Sequence, residues 1–248
     1  MTFTVIGSRS AYPLAGEATS CYLIQEEGVN IVVDLGAGSL SKLQEYIDIE
    51  ELDALIITHY HPDHFSDVYC LQHAVLIKSQ LGIMDKKLTI YGPDDPIYYP
   101  QLTYKDYIQS KKLDGSSIIH IKDITIAFME TQHSIYGLAV KLIKGKETIV
   151  YTSDSEVTQS LIDFSHGCDL LVCECSLYKP KKGITGHMAI VDVKKLILES
   201  NPKRVLITHL PPYGDNQDIL DGMLDLGHPA IDLAHPDVVV STQMVMRR

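Results

Sequence analysis

The sequence predicts an α/β protein made of two related halves, each a layer of strands covered by helices. Three observations carry this. Short apolar runs rich in β-branched residues alternate with segments of three- and four-residue apolar spacing. Two of the runs share one grammar, Leu55-Ile56-Ile57-Thr58-His59 and Val205-Leu206-Ile207-Thr208-His209. Residues able to bind metal or move protons follow the predicted strands, where α/β sheets place their sites. No linker rich in glycine, serine and proline divides the halves, so residues 1–248 are read as one domain.

The chain is organised around Thr58-His59-Tyr60-His61-Pro62-Asp63-His64, an H-x-H-x-D-H pattern. Ala54 to Ile57 reads as a buried strand before it, and Phe65 to Leu81 as a helix after it. Neutral imidazole and carboxylate suit a borderline divalent ion such as zinc. In an extended segment, positions two apart point the same way, so His59 and His61 can share one ion. Asp63 and His64 follow Pro62, which bends the chain, and suit a second ion.

Upstream, Thr4-Val5-Ile6, Cys21-Tyr22-Leu23-Ile24 and Asn30-Ile31-Val32-Val33 read as strands, with Glu26-Glu27-Gly28 making a hairpin of the last two. Asp34 stands at the third strand's exit before Gly36 and Gly38, and is read as a turn residue or as a support for a metal ligand. Leu40, Leu43 and Ile47 mark one helical face.

Downstream, Val68, Leu71, Val75 and Leu76 suit a helix packed on the sheet, with His73 at its surface. Leu88 to Tyr91 is a further strand. The tyrosine-rich stretch after it, with Tyr98, Tyr99 and Tyr104, reads either as a flap over substrate or as a surface helix. Strands follow at 118–121, 124–128, 138–142 and 148–151, with His120 an exposed strand residue. His133 and Asp154 occupy polar strand exits, and Glu174 ends the apolar run from Leu170.

The net charge of −11 argues against a protein that coats nucleic acid nonspecifically. No apolar run has transmembrane length and no secretory signal is visible, so a cytoplasmic location without membrane contact is expected. Cys21, Cys70, Cys168, Cys173 and Cys175 form no C-x-x-C pair and are expected to be buried free thiols.

With His133, Asp154 and His209 after the central motif, the sequence resembles the metallo-β-lactamase superfamily over essentially its whole length. The resemblance implies a four-layer αββα sandwich with two zinc ions, manganese being the other candidate. By matching, it puts His59, His61 and His133 on one ion and Asp63, His64 and His209 on the other. Asp154 and a hydroxide would bridge them. Asp154 is unlike the β-lactamases with cysteine at that place, and His61 is unlike the iron flavoprotein branch.

Glu174 and His187 resemble a pair found beside the metals in ribonuclease Z-like phosphodiesterases, where the histidine contacts phosphate and serves the leaving group. The words around them, Cys173-Glu174-Cys175-Ser176 and His187-Met188-Ala189, depart from that branch. The tRNA-gripping arm is also absent, since strands fill the stretch from His133 to Asp154. The expectation is therefore a dinuclear zinc hydrolase acting on a small or short single-stranded phosphodiester, with Asp63, His187 and Glu174 in catalytic roles. A stable nucleic-acid complex is not expected. A homodimer is implied only by the pairing habit of the resembled family. An acyl hydrolase such as a thioesterase or lactonase is the competing reading. Lys179, Lys181 and Lys182 form the only basic cluster near the site, read either as a phosphate receptor or as a solvated loop.

Overall fold

A strand with apolar side chains on both faces needs cover on both sides. In Cys21-Tyr22-Leu23-Ile24 and Leu170-Leu171-Val172-Cys173 successive side chains enter different cores, one between two sheets and one beneath helices. The computed structural model describes residues 1–228, 230–236 and 238–242. Among these described residues it places fourteen strands in two seven-stranded sheets. They are β1 (Thr2–Gly7), β2 (Cys21–Glu26), β3 (Val29–Val33), β4 (Ala54–Ile56), β5 (Leu88–Pro93), β6 (Ile108–Leu113), β7 (Ile118–Ile121), β8 (Ile124–Glu130), β9 (Leu138–Lys144), β10 (Glu147–Tyr151), β11 (Leu170–Glu174), β12 (Val205–Thr208), β13 (Ile231–Leu233) and β14 (Val239–Ser241).

The first sheet runs β14-β1-β2-β3-β4-β5-β6 and the second β13-β12-β11-β10-β9-β8-β7. From β14 to β3 neighbours are antiparallel, and from β3 to β6 parallel. The second sheet repeats this plan, antiparallel from β7 to β10 and parallel from β10 to β13. Two halves of like plan are thus present, as the repeated words suggested. The words themselves are not equivalent, however. Superposing the strand orders pairs β4 with β11, whereas the word Val205 to His209 covers β12 and its exit, one place further out.

Helices α1 (Ser39–Leu43), α2 (Pro62–Phe65), α3 (Val68–Gln80) and α4 (Tyr99–Leu102) share a core with the outer face of the first sheet. Helices α5 (Gln159–Ser165), α6 (Ile190–Ser200) and α7 (Gln217–Asp221) do so for the second. The layer order is αββα, as expected. Among the described residues no helix is long and apolar enough to cross a membrane.

Two expectations need correction, and one choice left open by the sequence is decided. The helix expected over Phe65–Leu81 begins at Pro62, which suits a first helical turn because its missing N–H would have no partner there. It then breaks at Ser66-Asp67, where Asp67 donates its N–H to Leu35 O and accepts from Leu40 N at 2.9 Å, tying the joint to the loop after β3. Cys70 is exposed, unlike the other four cysteines, because it lies on the outer face of α3. Tyr98 stacks on the buried Tyr60 (ring centroids 5.4 Å apart) and Tyr104 contacts His73, so the tyrosine-rich stretch is a surface segment packed behind the histidine motif, not a flap over it.

Candidate metal centre

The C-terminal ends of β3, β4, β10, β11 and β12 converge where the two sheets meet, and each delivers a polar residue. Three of those exits bend sharply. Asp34, Ser153 and His209 have φ of 59°, 52° and 52°, a left-handed conformation that non-glycine residues adopt at a cost. The bend turns each side chain from the strand direction into the site.

Two donor sets form. His59, His61, His133 and Asp154 bring one ligand atom each within 4.8 Å of one another, and so do Asp63, His64 and His209. Asp154 spans the sets. Its Oδ2 lies 3.6 Å from His59 Nε2 and 3.8 Å from His133 Nε2, while Oδ1 lies 3.3 Å from His64 Nε2 and 3.4 Å from His209 Nε2. The structure thus brings together all seven residues that the sequence singled out as ligands, in the two groups expected.

Four of the five candidate-ligand imidazoles are fixed by what their other nitrogen does. His64 Nδ1 donates to Asp34 Oδ2 at 2.7 Å, and His133 Nδ1 donates to the carbonyl of Gly186 at 2.7 Å. His209 Nδ1 donates to Ser176 Oγ at 2.7 Å. His59 Nδ1 lies 3.1 Å from Thr58 Oγ1, which in turn donates to Asp34. These contacts turn the Nε2 atoms inward. Gly186 must be glycine here: its φ is +81°, and a Cβ would meet His133 Nδ1 at 2.8 Å.

The electrostatics of the cluster suit bound cations. Among the described residues His59 Nε2 and Asp154 Oδ1 are buried without a hydrogen-bond partner, which protein interiors seldom tolerate. His61 Nδ1 and His133 Nε2 face each other at 3.0 Å. Burial, and then the charge of His64, holds the His59 pKa well below its usual range. Burial and neighbouring histidines likewise lower His61, and burial outweighs the pull of Asp154 at His133. Burial opposes ionisation of Asp63, but the His209 hydrogen bond and the charges of His64 and His209 hold its pKa below the carboxylate range. The donors are nitrogen and oxygen with no thiolate, and they fit divalent ions of the zinc or manganese kind.

A cavity of about 320 Å³ opens on this cluster. His61, Asp63, Asp154, His187 and His209 line one side, and Tyr12 and Tyr213 stand at its mouth. The loop after β1 closes over Asp63, and Ala11 N donates to Asp63 Oδ2 at 2.7 Å. Neither Tyr98, Tyr99 nor Tyr104 lines the cavity.

Residues 29–210 match the Beta-lactamase superfamily domain. The chain belongs to that superfamily. Over 221 residues it is 37% identical to the probable metallo-hydrolase YhfI of Bacillus subtilis strain 168, covering 88% of this chain and 91% of that protein. The crystal structure of YhfI from Bacillus subtilis matches with a TM-score of 0.93 at 35% identity, over 96% of this chain and 98% of that one. Ribonuclease Z of Saccharolobus islandicus (strain L.S.2.15 / Lassen #1) is 24% identical over 260 residues, covering 84% and 87%. Human tRNase Z, short form, shares the fold with a TM-score of 0.75 at 18% identity, over 98% and 100%. Within the beta-lactamase superfamily, the complete histidine and aspartate set makes this chain a metal-dependent hydrolase.

His187 and Glu174 are also brought together. His187 is half-buried on the cavity wall, its Nδ1 donates to Glu174 Oε1 at 3.1 Å, and it lies 3.9 Å from Asp154 Oδ2. Burial would lower its pKa, but the Glu174 hydrogen bond and charge outweigh that and push it up to about 9. Asp154, His187 and His209 are close enough to make a third donor set. We assign His187 to Glu174 instead, because its Nδ1 is already committed there.

Ser176 was not singled out from the sequence. Its hydroxyl donates to Glu174 Oε2 at 2.5 Å while accepting from His209. Glu174 is fully buried and also accepts from Ser155 N at 2.8 Å. The available signal was the spacing: Glu174 and Ser176 are two apart at a strand exit, which puts them on one face.

Proposed function

We propose that this protein is a dinuclear zinc phosphodiesterase of the ribonuclease Z kind, acting on small or short single-stranded substrates. The observation that carries the reading is the His187–Glu174 pair, a histidine backed by a buried carboxylate on the wall of the metal cavity. His59, His61 and His133 would hold one ion, Asp63, His64 and His209 the other, and Asp154 both. When bound, two such ions supply charge for a phosphoryl group and acidity for a water.

The chain's own residues do the rest. Asp63 is anchored by Ala11 N and lies 3.1 Å from His209 Nε2, on the cavity wall. There it orients the attacking water and takes its proton. His187 keeps Nδ1 on Glu174, which leaves Nε2 to give a proton to the departing oxygen as the P–O bond breaks. Ester hydrolysis at carbon needs an activated water but not this second histidine, so the pair favours phosphorus over the acyl-hydrolase reading. Strands β9 and β10 occupy the stretch between His133 and Asp154 that would carry a tRNA-gripping arm. With the net charge of −11, this favours a small diester over tRNA and speaks against a stable nucleic-acid complex.

The test is hydrolysis of bis-p-nitrophenyl phosphate beside p-nitrophenyl acetate and a panel of thioesters, with zinc and with manganese. Turnover of the diester well above the acyl substrates is expected. The reverse order would overturn the assignment to phosphorus.

A further inference from the structure

Beside the metal cavity lies a second one, of about 440 Å³. His187 and Leu177 line both. Beyond His187 the wall carries Lys181 and Lys182, while Lys179 lines a separate surface on α6. The three-lysine cluster of the sequence is therefore split, and only two of its members reach the site. Both are exposed, and neither side-chain ammonium has an ion-pair or hydrogen-bond partner among the described residues. The two carboxylates on the same wall are turned to backbone donors. Glu156 Oε1 accepts from Gly186 N at 2.7 Å, and Asp192 Oδ2 from Ala189 N at 3.0 Å. On a chain of net charge −11, the two lysines offset Glu156 and Asp192 on this wall and leave two ammonium groups next to the proton donor free to meet an anion.

Direction follows from His187. If it serves the leaving oxygen, as the phosphodiesterase reading on which this inference rests requires, the scissile phosphorus sits on the metal side of His187. The rest of the leaving group must then continue past His187, and the space there is the lysine-walled cavity. We propose that this cavity is a leaving-group subsite for a phosphate-type dianion held by Lys181 and Lys182. The substrate would be a diester whose leaving alcohol carries a second phosphate or phosphonate.

Two diesters separate this from its premise: methyl 4-(phosphonomethyl)phenyl phosphate and methyl 4-(hydroxymethyl)phenyl phosphate. They share the scissile bond and the methyl group, and the phosphonate does not hydrolyse. Release of methyl phosphate is followed by ³¹P NMR on the metal-loaded enzyme. Two charge-assisted contacts at an open site should lower KM for the phosphonate ester by about tenfold relative to the neutral one. Lys181→Ala/Lys182→Ala should abolish that preference, and raising the ionic strength should erode it in the parent. Equal KM values for the two esters, or a preference that survives in the double variant, would overturn the subsite. Failure of the parent to cleave either ester, with acyl esters still turned over, would instead overturn the phosphodiesterase reading and the subsite with it.

Discussion

Nδ1 of His209 lies 2.7 Å from the hydroxyl of Ser176, and through that hydroxyl His209 is joined to Glu174. One buried carboxylate thus supports two functions. Its Oε1 holds His187, and its Oε2 fixes the tautomer of a candidate ligand. Ser176→Ala should therefore weaken metal binding by roughly 10–100-fold, as the loss of a ligand's hydrogen-bond partner does elsewhere. The measurement is competition with a chromogenic chelator, and Ser176→Thr, which keeps the hydroxyl, should recover most of the affinity. Unchanged affinity in the alanine variant would remove Ser176 from this role.

Asp154 and Asp34 are both buried carboxylates among histidines, yet they act on metals differently. Asp154 faces both donor sets, whereas Asp34 touches His64, Thr58 and Tyr151 and does not line the cavity. Asp154→Ala should lose most bound metal. Asp34→Ala should keep metal at high concentration but bind it roughly 10–100-fold more weakly. Titration of zinc into both apo variants, read by calorimetry, orders them. If the Asp34 variant were the one unable to bind, the ligand assignment would fail.

How much of this could be read from the sequence depended on the density of the signal. H-x-H-x-D-H packs four donors into six positions after a β-branched run, so both strand and site were visible. His133, Asp154 and His209 stand at strand exits, which are weak signals singly, and the resemblance to the superfamily joined them to the central motif. Ala11 could not be found that way, because it acts through a backbone N–H set by a φ of 60°. Tyr12 and Tyr213 were missed because the loops that carry them have no periodicity. The tyrosines around Tyr98 drew attention by number, but composition does not say which face a segment presents. The join between α2 and α3 was lost for a similar reason: a tertiary tie at Asp67 stopped a helix that local propensity would have continued.

Metal should also be a stability ligand. His59 Nε2 and Asp154 Oδ1 lack hydrogen-bond partners among the described residues, so ions that meet them favour the folded state. At about a hundredfold excess over Kd, one site contributes about 2.7 kcal/mol. For a chain of this size that corresponds to a rise in Tm on the order of 5–10 °C per site. Differential scanning calorimetry of chelated and zinc-loaded protein, with elemental analysis on the same samples, should show the rise together with close to two ions per chain. A content of one or less that added zinc or manganese does not change would overturn the two-ion site.

The most discriminating prediction concerns His187. A phosphodiester transition state places charge on the departing oxygen, and a poor leaving group needs a proton there. The histidine is placed for this, with Nδ1 committed to Glu174 and its ring on the cavity wall. Loss of such a positioned acid typically costs about 10²–10⁴-fold. His187→Ala should fold normally and keep its metals, because the seven candidate ligands are other residues. Its loss of kcat should be large on alkyl-leaving-group diesters and much smaller with p-nitrophenolate, which departs without help. Measuring kcat for a series of diesters graded by leaving-group pKa tests this, since the variant should show a steeper dependence than the parent. Parallel lines would assign His187 to phosphate binding instead. An unchanged series would remove it from the reaction and return the acyl substrates to the front.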